Sequence, residues 1–348
     1  AKDHTATIMP GFTHMQHAQP TTLAHHLLGY EQAFSRDSWR LSDAYNRVNL
    51  CPLGAAAFAG TGYRIDREWT AKMLGFDGML ENTMDAVASR DFALEVLADC
   101  AVLMTTVSRL CEELVLWSSR FVRFAELDDA HASTSSIMPQ KKNPDTAEIM
   151  RAHAGTVSGD LVAALTIVKG LPMSYNRDLQ ELTPPLWEAV ATTNNCMEIL
   201  AGILKGVRFD TGRMAKEAKE GGTTATDLAD MLVVRFGLPF RTAHTIVAAA
   251  VREGTPTPET LDRVAATLGC GSLTSRGLTG ELIREALDPE RSVTLRDLPG
   301  GPAPAATGRA IDSCTQAIRE ERSLLSGRHK RVEEFRKELL ALARELAP

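Results

Sequence analysis

The run Ser135-Ser136-Ile137-Met138-Pro139-Gln140-Lys141-Lys142-Asn143-Pro144 sets two adjacent hydroxyls near two lysines and an asparagine, between two prolines. Lysine offers charge, and Ser and Asn offer directed hydrogen bonds, so these residue types could hold an anion. A solvated basic loop has the same composition, and composition alone favours that plainer reading. No GxxxxGK[ST] phosphate loop is present, so a nucleotide site is not indicated. Upstream, Met9-Pro10-Gly11-Phe12-Thr13-His14-Met15-Gln16 precedes a helical pattern. Its Thr13-His14 pair could bind a carboxylate or pass a proton. His14 and His17 are three apart and His25-His26 follow, but few Cys or carboxylates stand nearby, which argues against a metal. On spacing alone, a lone loop histidine is more often structural than catalytic. A third polar cluster, Ser174-Tyr175-Asn176-Arg177-Asp178-Leu179-Gln180-Glu181, falls between apolar segments. It reads as a buried functional cluster or as an exposed interhelical turn, since burying unpaired polar groups is costly. Thr83-Met84-Asp85-Ala86 and Ser89-Arg90-Asp91 form a similar polar approach to a long helix, which Asp91 could simply cap.

The elements that must carry these residues are helical. Val96, Cys100, Leu103, Val107, Leu110, Leu114 and Trp117 step by fours and threes, the seam of a packed helix over 91–118. A second stripe runs through Leu23, Leu27, Tyr30, Phe34, Leu41, Ala44 and Val48, interrupted by Asp37. Two more cover 144–168 and 185–204. No run of alternating β-branched residues stands out, so the pattern predicts an all-α fold built on a long-helix bundle. Residues 126–144 are polar and aperiodic, and a loop that long in a compact domain is usually functional. Beyond Arg208 the helices shorten between Gly pairs, which predicts a bundle domain 1–207 and a smaller helical domain 208–348. The charged helical stretch 305–346 reads as a solvated face.

Composition bounds the partners. Lys plus Arg number 38 against 44 Asp plus Glu, a net charge of −6, so no basic surplus points to nucleic acid. No apolar run is long enough to span a membrane. Six scattered cysteines share no CxxC spacing, which excludes a zinc finger and speaks for a reducing, cytoplasmic setting. The chain opens on Ala1 without an initiator Met, which reads as a processed piece or a fragment.

Taken together, the loops resemble the fumarase/aspartase superfamily of lyases. Ser135-Ser136-Ile137-Met138-Pro139-Gln140-Lys141-Lys142-Asn143-Pro144 is similar to its GSSxMPxKxNP signature, and Met9–Pro20 to its upstream His block. The wording around Gln140-Lys141-Lys142-Asn143-Pro144-Asp145, Tyr175–Glu181, Ala225–Asp230 and Gly300–Pro304 resembles argininosuccinate lyases in particular. The resemblance implies a homotetramer of long helices whose active sites draw on three subunits, with no cofactor and no metal. It also implies anti-elimination of fumarate from argininosuccinate, within arginine biosynthesis. By match to the motifs, Ser135 is the expected base and Lys141 and Asn143 the donors that stabilise the aci-carboxylate. Thr13 and His14 are expected to bind substrate and assist proton transfer, with Glu148 the partner of His14. Tyr175 and Gln180 are expected to contact the amino-acid end, and Ser136 and Arg90 complete the expected binding set.

Such a loop makes chemical sense. A serine hydroxyl is a poor base unless its anion is held by backbone N–H groups and a nearby cation. Stabilising a developing dianion takes donors concentrated where the charge appears. Three departures stand out. Thr134 occupies the usual glycine position of the signature, and Thr183 stands where many argininosuccinate lyases have a lysine. The family's N-terminal domain, with its Ser-Arg-Asn motif, has no counterpart here. Two alternatives stay open: the same fold acting on another N-substituted aspartate, and a structural oligomer without activity.

Overall fold

The computed structural model describes residues 1–346. The chain forms two compact units, one joining Ala1–Gly29 to Phe209–Thr315, the other joining Tyr30–Arg208 to the segment that begins at Gln316. The expected division at 207/208 differs from this grouping: residues 1–29 pack with 209–315, and the tail packs with the bundle.

The bundle unit draws on α1 (Leu23–Val48), α2 (Arg67–Met73), α3 (Thr83–Ala88), α4 (Asp91–Ser118), α5 (Asp145–Val168) and α6 (Thr183–Gly206). The 28 residues of α4 extend about 42 Å. Leu97, Cys100, Met104, Val107, Cys111 and Leu114 of α4 are buried against α5 and α6. Their partners include Ala147, Met150, Val157, Ala189, Cys196 and Leu200. The expected seam is thus rotated at its start: Val96 is only half-buried and Leu97 is fully buried. Leu103, Leu110 and Trp117 are buried as expected. A helix touching two neighbours buries a stripe wider than a two-helix seam, so both rows go inside.

Asp37 does not break the α1 stripe. Asp37 is 2% exposed, and its carboxylate accepts hydrogen bonds from Arg40 Nη1 at 2.7 Å and Thr106 Oγ1 on α4 at 2.8 Å. The buried charge is therefore compensated. Tyr30 on the same helix donates its hydroxyl to Glu113 at 2.9 Å, and burial beside that carboxylate pushes the phenol well above its ordinary range.

The other unit contains a β-hairpin, β1 (Ile8–Thr13) with β2 (Gln16–Thr22), which the sequence pattern did not predict. Pro10, Gly11 and Pro20 blur any alternation, and the register shifts between Pro10 and Phe12 because proline brings no N–H to the ladder. The hairpin is held by packing: Met9 and Thr22 are fully buried, and Thr22 Oγ1 donates to Pro302 O at 3.3 Å. Around it lie α7 (Thr211–Glu220), α8 (Ala225–Phe236), α9 (Phe240–Arg252), α10 (Pro258–Thr267), α11 (Gly280–Ala286) and α12 (Pro289–Thr294). Leu228, Leu232, Ala243, Ile246, Ala250 and Leu261 form their core. Local chemistry sets the ends: Thr257 and Thr260 form a capping box on α10, and Gly237 closes α8 at φ 65°.

The last helix, α13, runs Pro304–Leu346. Its basic residues do more than face water. Within the bundle unit, the Arg328 guanidinium lies 4.1 Å from the centre of the Tyr45 ring. Arg331 pairs with Asp77 at 2.5 Å, and Phe335 packs on Gly75. No helix among the described residues is long and apolar enough to cross a membrane.

Candidate active site

The loop between α4 and α5 is a small hairpin rather than an open coil. Ser133–Thr134 pairs antiparallel with Lys142–Asn143, and Ser135 N donates to Lys141 O at 3.0 Å. At its turn the Ser135 Oγ accepts hydrogen bonds from Met138 N at 3.1 Å and Ile137 N at 3.3 Å. Lys141 is exposed, as are Ser136, Ile137 and Met138. Asn143 leads through Pro144 into α5, whose first turns carry Asp145 and Glu148. Lys142, by contrast, is committed to structure. Its ammonium pairs with Asp129 at 2.7 Å and Glu126 at 3.4 Å. The hydrogen bond to Asp129 raises the Lys142 pKa, and the same bond lowers that of Asp129.

A second group forms before α6. Gln180 Nε2 donates to the Tyr175 hydroxyl at 3.0 Å. Ser174, just before the tyrosine, takes φ 74°, strained backbone for a residue with a Cβ. Arg90 ends α3 by donating Nη1 to Val87 O at 3.1 Å and Ser89 O at 2.6 Å. Burial lowers its pKa, and the Tyr175 hydroxyl partly offsets that. Arg90 also lines a cavity of about 540 Å³ with Arg47, Asp85, Ser89, Asp91 and Phe92. Asp91 opens α4 in the first turn, where a carboxylate favours the helix dipole.

Thr13 and His14 lie in the other unit, at the hairpin tip. Thr13 pairs with Gln16, so His14 and Met15 alone make the turn, at φ 53° and 61°. Two successive left-handed residues suit Asn-Gly, and each such non-glycine costs about 1–3 kcal/mol. Strained backbone of that kind concentrates at functional sites, and here it falls on an exposed histidine in a two-residue hairpin turn. The tip is braced by His17, which packs edge-on to Phe12 at 5.3 Å and faces Glu217 at 3.9 Å.

The expected residues are thus gathered in three places: Ser135, Lys141, Asn143 and Glu148 on or beside the loop; Tyr175, Gln180 and Arg90 together; Thr13 and His14 on the hairpin. The loop offers a serine oxygen already aimed at by two backbone N–H groups, the arrangement that favours its anion. Among the described residues, no three His, Cys, Asp or Glu side chains converge as a metal-binding set. Sequence reasoning missed two supports, the Asp128–His131 pair at the loop root and the His17–Glu217 pair. The first had a local signal, an acid and a histidine three apart; the second joins residues far apart in sequence.

Comparison with known proteins gives the family. Residues 1–159 match the lyase family, and residues 222–294 match the argininosuccinate lyase C-terminal family. The chain is 59% identical over 326 residues to the argininosuccinate lyase of Methanoculleus marisnigri, covering 94% of this chain and 65% of that protein. It is 54% identical over 347 residues to that of Methanospirillum hungatei, covering 100% and 70% respectively. A solved EDDS lyase variant with bound fumarate superposes at TM-score 0.90 and 33% identity, over 99% of this chain and 70% of that one. The chain spans about two thirds of the length of the curated relatives it matches. With more than half of its residues shared across nearly its whole length, the chain belongs to the argininosuccinate lyase family.

Proposed function

We propose that the protein cleaves argininosuccinate to arginine and fumarate by anti-elimination, with no metal or organic cofactor. The observation that carries the reading is the Ser135 oxygen, held by the Ile137 and Met138 amides in a loop that also bears Lys141. Ser135 removes the proton from the succinyl carbon as its anion. Lys141 and Asn143 stabilise the aci-carboxylate that forms, and collapse of that dianion expels the guanidino nitrogen. Thr13 and His14 bind substrate and assist proton transfer, with Glu148 as the partner of His14. Tyr175, Gln180, Ser136 and Arg90 hold the remainder of the substrate.

The working form is a homotetramer in the cytoplasm, and the three groups of residues need not come from one copy. Exposed apolar residues on the long helices support assembly: Val102 on α4, Ile149 and Val162 on α5, Trp187 and Ile199 on α6. Apolar side chains exposed on three long helices suit a helix-to-helix contact between subunits. A second reading, the same chemistry on another N-substituted aspartate, is favoured by Thr183 in place of a lysine and by the likeness to an EDDS lyase. The test is to give the full-length protein argininosuccinate and other N-substituted aspartates in parallel and follow fumarate by ultraviolet absorbance. Turnover of argininosuccinate above the others is expected. Fumarate from another substrate and none from argininosuccinate would overturn the first reading in favour of the second.

A further inference from the structure

The root of the Ser135 loop packs so closely on α6 that a Cβ at either of two glycines would meet its side chains. Asp128 Oδ1 accepts two hydrogen bonds from one residue, His131 Nδ1–H at 2.6 Å and His131 N at 3.1 Å. The pair packs against α6. A Cβ at Gly202 would stand 2.5 Å from His131 Nε2, and one at Gly206 would stand 2.6 Å from Asp128 Cγ. The two glycines are one helical turn apart and face the same way. Gly202, inside α6, weakens the helix by about 1 kcal/mol relative to alanine, so helix propensity gives no reason for it, whereas Gly206 is the last residue of the helix. On its other side the clasp reaches α5: Thr146 Oγ1 donates to His131 O at 2.5 Å. Beyond His131 the chain enters the strand Ser133–Thr134 and then Ser135. The returning limb is pinned separately, by Lys142 on Asp129 and Glu126.

We infer that Asp128, His131, Gly202 and Gly206 are positioning residues that set the register and height of the Ser135–Lys141 turn over α5 and α6. None of them is among the residues assigned to the substrate. Both limbs are tied at their feet, so Ser135 keeps its two amides and its place relative to Lys141. The inference rests on the proposed role of Ser135 for its effect on rate, but the clasp itself can be tested without turnover.

The test uses the full-length protein and three variants. Gly202→Ala should displace the His131 ring, speed hydrogen exchange at 133–142 at least tenfold, and leave exchange in α4 and α6 unchanged. Alanine is the better helix former, so a merely structural role predicts no change or slower exchange. With argininosuccinate, kcat should fall at least tenfold while KM stays within threefold. His131→Asn alone should stay within threefold of wild type, since its amide can donate to Asp128 as Nδ1 does. Combined with Gly202→Ala it should restore both exchange and kcat to within threefold, because the shorter side chain clears the new methyl group. Unchanged loop exchange in Gly202→Ala, or failure of the double variant to recover it, overturns the inference. If the wild type releases no fumarate yet the exchange pattern holds, the functional reading fails while the clasp stands.

Discussion

Ser135→Ala separates two meanings of one geometry. The Ser135 oxygen accepts from the Ile137 and Met138 amides, as any hydroxyl closing a turn would. As a turn element it is worth little. The loop is exposed, the two bonds exchange with water, and their loss costs about 1 kcal/mol of local stability. The turn also survives without them, since Ser135 N still meets Lys141 O at 3.0 Å and Lys141 N still meets Met138 O at 2.9 Å. As the base, the same oxygen is needed only when the carbon–hydrogen bond breaks. Proton transfer by a positioned group contributes about 10²–10⁴ in rate, or roughly 2.7–5.4 kcal/mol at 1.36 kcal/mol per tenfold. The expected signature is a kcat reduced by at least a hundredfold with KM nearly unchanged, because ground-state binding rests on other residues. Fumarate absorbance reads the rate, and Ser136→Ala, at the exposed neighbour assigned to binding, should differ by raising KM while kcat falls less than tenfold. A Ser135→Ala protein that keeps more than about a tenth of the wild-type rate, a loss under about 1.4 kcal/mol, refutes the assignment.

Other outcomes follow from the same structure. Lys141→Met should raise KM and lower kcat together, since the lost charge meets both the substrate carboxylate and the developing dianion; a change in KM alone would contradict the second role. Leu114→Ala removes a side chain 1% exposed between α4 and its neighbours, and should cost about 2–5 kcal/mol in urea unfolding. Burial, aided by nearby Cys196, pushes the Cys111 thiol from 9.0 up to about 12. Folding therefore favours its neutral form, so this contribution to stability is complete below about pH 9 and is lost as the pH rises toward 12. Cys111 should resist thiol reagents at pH 8 in the native protein, and rapid labelling there would contradict its burial. Val162→Glu, at an exposed apolar position of α5, should dissociate the proposed tetramer in sedimentation at micromolar concentration. An unchanged sedimentation coefficient would exclude Val162 from the interface.

Much of the architecture is written in local pattern. The bounds of α4 follow from an apolar period that begins after a polar segment and ends at a Ser pair. The starts of α5 and α6 are marked by Pro144 and by Pro184-Pro185, residues that suit a first turn and no interior position. The 126–144 loop was legible because it breaks that period with prolines and polar residues. Its chemistry was legible because Ser, Lys and Asn at those spacings resemble a family signature. All of these signals lie within a few residues of one another along the chain.

What sequence could not supply depends on partners far away in the chain. The β1–β2 hairpin has no alternation of its own and exists because Met9 and Thr22 are buried against the helices of its unit. Asp37 looked like a fault in a stripe until Thr106, on another helix, supplied its hydrogen bond. Whether Val96 or Leu97 faces inward depended on α4 having two neighbours, which no single-helix period encodes. Gly202 and Gly206 are ordinary helix residues until Asp128 and His131 arrive against them. The sequence by itself determined where helices begin and end and which loop carries reactive groups, because propensity and capping are short-range. Only the tertiary structure decided which faces are buried, which charges are compensated and how the Ser135 loop is held, because those free energies come from contacts that folding brings together.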